Sequence, residues 1–534
     1  MKKLPLGIQN FPEIRTDNYV YIDKTPLALK MADSGKYYFL SRPRRFGKSL
    51  FLDTLKCLFE GRRDLFKGLF VHDKWDWDKT YPVIRIDFSK GLVKTKKELS
   101  DKIGAFIRQA ARDFNLEIQE TGTSNAFEEL IRKCHDRYVM PVVILIDEYD
   151  KPILDNITDN DTALIMRDGL RDLYSVIKGM DPFIRFVFLT GVSKFSKMNL
   201  FSGLNNLRDI TLSPEYATIC GYTQMDVETG FKEHLARTGP DGPVDLTELA
   251  KWYNGYSFSG EPVYNPYDIL LFFQEGGKFK NYWFETGTPT FLMDMIRAKQ
   301  YFLPDLENLE VSEQLLNTFD VGNIPIESLM FQTGYLTIQA IKPSRIPHIN
   351  RYRLGFPNFE VRHAFLNYFL DHLAQSHSIR GMVQDDLYIC LEDRQVEHLE
   401  PVLKRLFSGI PYNTYMKNTI AGYEGFYTSV IYAYFYSLGI DIQMEDTAST
   451  GRADMVVKFS KDLIYIFEFK VVQDGQSKRK NPLAQIKEKR YFEKHMGDGK
   501  RIFLIGIEFS KEKRNIVSFD WEQVAAGSLD GELS

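Results

Sequence analysis

Cysteine is scarce in this chain: Cys57, Cys134, Cys220 and Cys390 stand far apart among 534 residues, with no CxxC pair. That pattern excludes a zinc knuckle, a redox dithiol and a secreted disulfide framework, and leaves buried thiols in a reducing compartment as the expectation. Long hydrophobic runs are missing too. No stretch approaches the roughly 18 apolar residues that a membrane span needs, and Met1 to Phe11 carries two lysines but no apolar core or cleavage site. A soluble, cytoplasmic protein with no membrane partner is therefore expected. Charge of one sign is not dominant: 68 Lys and Arg stand against 72 Asp and Glu, a net charge of -4. This excludes a protein that coats polyanions wholesale but leaves room for a local basic groove. The nine histidines form no HExxH and no serine sits in a GxSxG elbow, so neither zinc peptidase nor acyl-transfer chemistry has a basis. Internal repeats and low-complexity tracts are absent as well.

With 44% hydrophobic, 14% aromatic and 26% charged residues, the chain has the material for several packed cores. Short apolar strands are expected at Tyr37 to Leu40, Val83 to Phe88, Val142 to Ile146 and Phe183 to Leu189. Helices are expected from Lys48, over Lys97 to Phe114 and over Asn125 to Arg137. Apolar strands alternating with helices indicate a parallel sheet buried on both faces. Beyond Ser213 helix-like stretches dominate to Lys342. After Tyr412 the expected order is helix (Gly422 to Leu438), strand (Ala453 to Phe459), strand (Leu463 to Val471), helix (Pro482 to His495) and strand (Ile502 to Glu508).

Arg42-Pro43-Arg44-Arg45-Phe46-Gly47-Lys48-Ser49 lies between the first strand and the first helix, where backbone N-H groups and a helix N-terminus cradle phosphates. Lys48 is placed to reach the terminal phosphates and Ser49 to hold Mg2+, while Gly47 lets the backbone approach. Arg42 stands where GxxxxGK(S/T) has its first glycine. The strand Val142 to Ile146 ends in Asp147 and Glu148, the first suited to the metal and the second to polarising an attacking water. At the next strand end, Thr190 has two readings, a sensor of the terminal phosphate or a capping hydroxyl.

Together with Tyr19-Val20-Tyr21-Ile22-Asp23-Lys24-Thr25, Leu145-Ile146-Asp147-Glu148-Tyr149-Asp150 and Leu204-Asn205-Asn206-Leu207, this string closely resembles the bacterial AAA-ATPase-like family, whose C-terminal region is typically PD-(D/E)xK nuclease-like. The resemblance implies an α/β architecture: a P-loop NTPase parallel sheet (1–213), a mainly helical lid (214–342), a connector (343–385) and a C-terminal PD-(D/E)xK nuclease-like α/β domain (386–534). It also implies ATP contacts from Arg45, Phe46, Gly47, Lys48, Ser49 and Leu50, and a form of the loop in which Arg42 is normal. Homo-oligomers are common among ATPases of this broad type.

Gly451-Arg452-Ala453-Asp454 opens one expected strand and Phe467-Glu468-Phe469-Lys470 lies late in the next. A hairpin turning at Ser460 to Asp462 sets Asp454 opposite or nearly opposite Glu468, and Glu468 and Lys470 share a face. Two acids and a lysine suit Mg2+-dependent phosphodiester hydrolysis, with Mn2+ as a substitute. Asp454 and Glu468 bind the metal and Lys470 positions or deprotonates the water. Glu424 on the preceding helix is a candidate third metal ligand. Gln485 and Tyr491 resemble the accessory pair of some nucleases of this class. The run Lys478-Arg479-Lys480 reads either as a phosphate contact or as a solvated loop. Two functions are compatible with these residues. One is an ATP-binding, ATP-hydrolysing protein coupled to a nuclease acting on DNA in preference to RNA; the other is a nucleotide-controlled switch or scaffold that binds nucleic acid or a partner without cutting.

Overall fold

A computed structural model describes the chain apart from residues 196–205, 237, 240–241, 284–289, 299–300, 308, 318–319, 323, 375–376, 411–423, 449–450, 474–480, 497–499 and 525–534. Leu204, Asn205 and the basic run 478–480 thus lie outside the described residues. The chain forms two compact units, Met1–Thr288 with Leu309–Glu360, and Pro289–Asn308 with Val361–Ser534.

The first unit is built on β1 (Tyr37–Ser41), β2 (Val83–Asp87), β3 (Val142–Asp147), β4 (Ile184–Gly191) and β5 (Arg208–Asp209). They lie parallel in the order β2-β3-β4-β1-β5. β1 and β3 are buried along their whole length. That is the reason they read as unbroken apolar runs: helices cover both faces of a parallel sheet. The helix Lys96–Asp113 opens on a capping box between Thr95 and Glu98, and Asp159 caps Asn160–Gly179. The chain leaves β1, turns through the arginine-rich segment and enters the helix Lys48–Phe59 at Gly47, whose φ of 90° is left-handed and suits glycine.

Past the sheet, short helices such as Leu246–Tyr253 and Pro266–Gln274 enclose an aromatic core of Phe231, Tyr253, Tyr264, Phe272 and Phe273. A minimal ladder joins β6 (Thr238–Gly239) to β7 (Gly242–Pro243). The sequence reading places no strand here, yet β8 (Leu309–Ser312), β9 (Thr337–Pro343) and β10 (Asn350–Gly355) form an antiparallel sheet in the order β8-β10-β9. Their half-polar residues, a mixture of buried, half-buried and exposed positions, carry little of the β signal that full burial imposes.

The second unit contains a mixed sheet of β11 (Asp441–Ala448), β12 (Gly451–Ser460), β13 (Leu463–Val472), β14 (Arg501–Ser510) and β15 (Asn515–Gln523), in that order. β13 and β14 run parallel and the other pairs antiparallel. The expected helix Pro482 to His495 is shorter: it stops at Lys489, Arg490 turns left-handed at φ 51°, and a 3-10 turn covers Glu493–His495.

Within the first unit, Asp268 and Glu360 are both fully buried, and the Trp283 N-H donates to Glu360 Oε1 at 2.7 Å. Burial, and then the Glu360 charge and a hydrogen bond between the two carboxyls, hold the Asp268 pKa well above its ordinary 3.8. The folded chain therefore keeps a proton that the unfolded chain releases, and stability falls as pH rises above the ordinary carboxylate range. Asp268→Asn is expected to match wild type in thermal midpoint near about pH 4 and to exceed it by about pH 8; a wild-type advantage at the higher pH contradicts this assignment.

Candidate functional site

The loop after β1 borders a cavity of about 500 Å³, lined by Arg44, Arg45, Gly47, Lys48, Ser49 and Glu148 on its polar side. Phe46 and Leu50 also line it. Pro5, Ile8, Tyr222, Tyr267 and Leu270 supply apolar and aromatic wall, and Lys151 a further cation. A volume of this size suits a nucleotide. Lys48 is buried and its ammonium donates to the carbonyls of Arg42 and Pro43, at 3.0 Å each, so it spans the loop from the inside. Arg45 sits at φ 69° with its guanidinium over the Tyr267 ring, 4.9 Å from the centroid. The Phe46 ring turns inward onto Tyr256 and Phe258 at 4.7 and 5.9 Å, anchoring the loop rather than filling the cavity.

Arg42 explains how the loop does without its first glycine. The side chain leaves the loop entirely: it is fully buried, donates to the carbonyls of Ser41, Thr211 and Tyr216 at 2.9, 2.8 and 3.2 Å, and lies 3.9 Å over Phe258. Burial lowers its pKa to about 10, which still leaves it charged at neutral pH. Arg42 ties the base of the phosphate loop to the segment 211–216.

Asp147 and Thr190 are not among the residues that line the cavity. Thr190 Oγ1 donates to Asp147 Oδ1 at 2.6 Å, and both residues are buried. Asp150 had no assigned role from its sequence position. Its buried Oδ2 accepts from Val192 N at 3.0 Å and from Ser193 N and Oγ at 2.6 Å each, lashing the loop after β3 to the loop after β4. Burial and the neighbouring Glu148 charge raise its pKa to about 6. A Cβ on Gly191 would come within 2.5 Å of Asp150 Oδ1 and of the Tyr149 ring, so only glycine fits beneath this lash.

In the second unit, Met455 pairs with Phe467, which carries Asp454 and Glu468 to the next facing positions. Asp454 Oδ2 accepts from Phe469 N at 2.8 Å. Glu468 is 1% exposed; its Oε1 accepts from Lys470 Nζ at 3.1 Å and from the Gln485 side-chain amide. Tyr491 lies close enough to Gln485, Glu468 and Asp454 for each to act on its hydroxyl, so the accessory pair stands by the same carboxylate. The helix Pro482–Lys489 gets this close because Gly506 stands beside Glu468 in the register, and a Cβ there would meet Leu483 N at 2.4 Å. Gly506 carries no motif signal and Asp150 only ends the Leu145 to Asp150 string; what gives each its part in the site is a close approach that only the folded chain contains.

Burial and the Asp454 charge push the Glu468 pKa up to about 7, partly offset by Lys470. For Lys470, burial works to lower the pKa, but Glu468, Asp454 and Glu424 outweigh it and the net shift is upward. Glu424 heads the helix Glu424–Ser437 and its charge reaches Lys470. Among the described residues, however, no three His, Cys, Asp or Glu side chains cluster tightly enough to hold a metal ion. Glu468 Oε2 is buried with no hydrogen-bond partner. An orphaned carboxylate oxygen beside Asp454 fits a divalent cation, and Mg2+ ordinarily takes one or two carboxylates and completes its shell with water and substrate phosphate.

A family model described as "Predicted AAA-ATPase" matches residues 5–201, and one described as "PD-(D/E)XK nuclease superfamily" matches 422–519. An "Uncharacterized protein in vnfD 5'region" of Azotobacter chroococcum mcd 1 is 47% identical over 524 residues, covering 97% of this chain and 98% of that one. The chain belongs to the AAA-ATPase-like family with a C-terminal PD-(D/E)xK nuclease-superfamily domain. In this AAA-ATPase-like chain, residues 5–201 include β1 to β4, and 422–519 include the facing acids of β12 and β13. Among the described residues no helix is long and apolar enough to cross a membrane.

Arg42→Ala in this AAA-ATPase-like protein is expected to cost about 3 kcal/mol or more, since three buried carbonyls lose a charged donor. Arg42→Lys rescues little, because an ammonium lacks the planar fork. Chemical denaturation checks both; a loss under about 1 kcal/mol for Arg42→Ala contradicts the strut.

Proposed function

We propose that this chain binds ATP with Mg2+ in the cavity after β1, hydrolyses it, and couples its nucleotide state to Mg2+-dependent cleavage of DNA by the C-terminal domain, with Mn2+ able to replace Mg2+ there. The observation that carries the reading is that each phosphate-chemistry centre is built from residues remote in sequence. Lys48 and Ser49 border one cavity with Glu148, and Lys470 and Gln485 hold Oε1 of the Glu468 carboxylate beside Asp454 while its buried Oε2 has no hydrogen-bond partner. In this reading the working domains are 1–213 (ATPase), 214–342 (lid), 343–385 (connector) and 386–534 (nuclease).

At the nucleotide site Lys48 exchanges its bonds to the loop carbonyls for bonds to the terminal phosphates, and Arg45 with Gly47 to Leu50 lines the phosphate path. Ser49 and Asp147 hold the Mg2+, which screens the phosphate charge. Glu148, with φ 53° at the strand end, polarises the attacking water, and Thr190 orients Asp147 and reports the terminal phosphate. At the nuclease site Asp454 and Glu468 hold a divalent cation whose charge stabilises the phosphate transition state, with Glu424 near enough to tune Lys470. Lys470 is kept cationic by three acids, which favours positioning and charge stabilisation over proton abstraction. Gln485, buttressed by Tyr491, fixes the Glu468 carboxylate.

Incubation with plasmid DNA, Mg2+ and ATP tests the nuclease half. Wild type is expected to nick or linearise the plasmid, and Lys470→Ala to be slower by about two orders of magnitude; equal cleavage by both sinks the proposed centre. Calorimetric titration with Mg-ATP tests the other half: Lys48→Ala is expected to lose at least about tenfold in affinity, the effect of one charge-assisted phosphate contact, and an unchanged affinity removes Lys48 from the site.

A further inference from the structure

The hairpin of β9 and β10 has a charge pattern that the fold does not need. From Thr337 to Gly355 it contains Lys342, Arg345, His348, Arg351 and Arg353 and no acidic residue, in a chain whose acids outnumber its Lys and Arg by 72 to 68. Lys342 pairs directly with Arg351, and like charges in that position repel across an antiparallel ladder. Arg353 follows on the same face, about 6.8 Å along the strand. On β8 this face carries Ser312 opposite Arg351 and Glu310 opposite Arg353. Glu310 takes a 2.9 Å bond from Lys342, and Lys342 foremost, with Arg351 and Arg353, holds its carboxyl below the usual range. Three cations thus share one acid on the sheet face, and Arg345 adds a fourth at the tip.

The tip is also apolar and open. Ile341, Ile346 and Ile349 are 42%, 58% and 43% exposed, and Arg345 to Arg351 are exposed throughout. The turn is ordered all the same: Ser344 N donates to Ile349 O at 2.8 Å and His348 takes a left-handed φ of 63°. An ordered hairpin that repels itself and presents isoleucines to water is less stable than one with mixed charges and a polar tip, unless an anionic partner covers it.

We propose that this hairpin is a contact for duplex DNA, with Lys342, Arg345, Arg351 and Arg353 on backbone phosphates and the isoleucine tip against the sugar edges of a groove. The inference rests on the DNA reading above and adds to it a binding surface in the ATPase-bearing unit, outside the nuclease domain. Charge complementarity carries the choice of partner. Cations on alternate strand positions recur at about 6.8 Å, about twice the 3.4 Å rise per phosphate of one DNA strand. A two-stranded ribbon of this width enters a groove of B-DNA.

The test uses the full chain in EDTA, so that nothing is cleaved, and a short fluorescein-labelled duplex read by anisotropy over a salt series. A Lys342→Ser, Arg345→Ser, Arg351→Ser variant keeps the partly buried Arg353; its thermal midpoint is expected to be no lower than that of wild type, and its Mg-ATP affinity to equal it. Its DNA affinity is expected to fall about tenfold or more at low salt, and the log-log salt slope to shrink by about two to three units. Ile346→Ser with Ile349→Ser is expected to weaken binding without changing the slope. Equal affinity and slope in wild type and the triple variant overturn the hairpin proposal and leave the nuclease reading standing. Hairpin-dependent binding in a protein that never cuts DNA supports the hairpin and removes the nuclease activity. No DNA binding by wild type, or hairpin-dependent binding to anionic phospholipid vesicles in its place, overturns the proposal.

Discussion

The order of the parallel sheet is the constraint on which the nucleotide site depends. β4 lies between β1 and β3, so the phosphate loop and the Asp147-Glu148 pair stand two strand spacings apart, about 9 to 10 Å. In the proposed function that gap takes the terminal phosphate and a water between Lys48 and Glu148; Thr190, at the end of the intervening strand, donates to Asp147. Strands side by side would close the gap; a further inserted strand would leave the lysine and the acid unable to act on one phosphate.

Two buried charges hold this arrangement from below. Arg42 binds the loop base to the segment after β5, and Asp150 binds the loop after β3 to the loop after β4. From there Lys194 continues outward, pairing with Asp209 and donating to Asn317 at 2.6 Å, while its N-H donates to Gln332. The loops around the phosphate site are therefore cross-linked to each other and to the segment 309–360 by groups whose desolvation is costly if any one is removed. The chain also passes between the two units after Thr288, Asn308 and Glu360, so neither unit is a single continuous stretch of sequence.

The parallel sheet was legible because burial on both faces leaves an unbroken apolar signature, as in Val142 to Ile146, and because the glycine and lysine at the following helix have a mechanical reason to be there. The facing of Asp454 and Glu468 was legible because period-two alternation and a short turn determine it. What the sequence reading missed has physical causes as well. The edge strands β11 and β15 and the sheet β8-β10-β9 are half-solvated, so their composition stays mixed. The aromatic wall of Tyr222 and Tyr267 comes from positions more than a hundred residues from the loop, and nothing local links them. Arg42 looked like a departure from the phosphate-loop pattern only because the sequence does not show that its side chain points away from the phosphates. Asp150 and Gly506 are ordinary residues until the close approaches at Gly191 and Leu483 are known.

The most direct measurement is anomalous diffraction from crystals grown with Mn2+ and a non-hydrolysable ATP analogue. A manganese peak is expected beside Ser49 and Asp147 with the triphosphate wrapped by Gly47 to Leu50, and a second peak against Asp454 and Glu468 Oε2. An analogue bound elsewhere, or a Glu468 carboxylate that stays metal-free at saturating Mn2+, contradicts it.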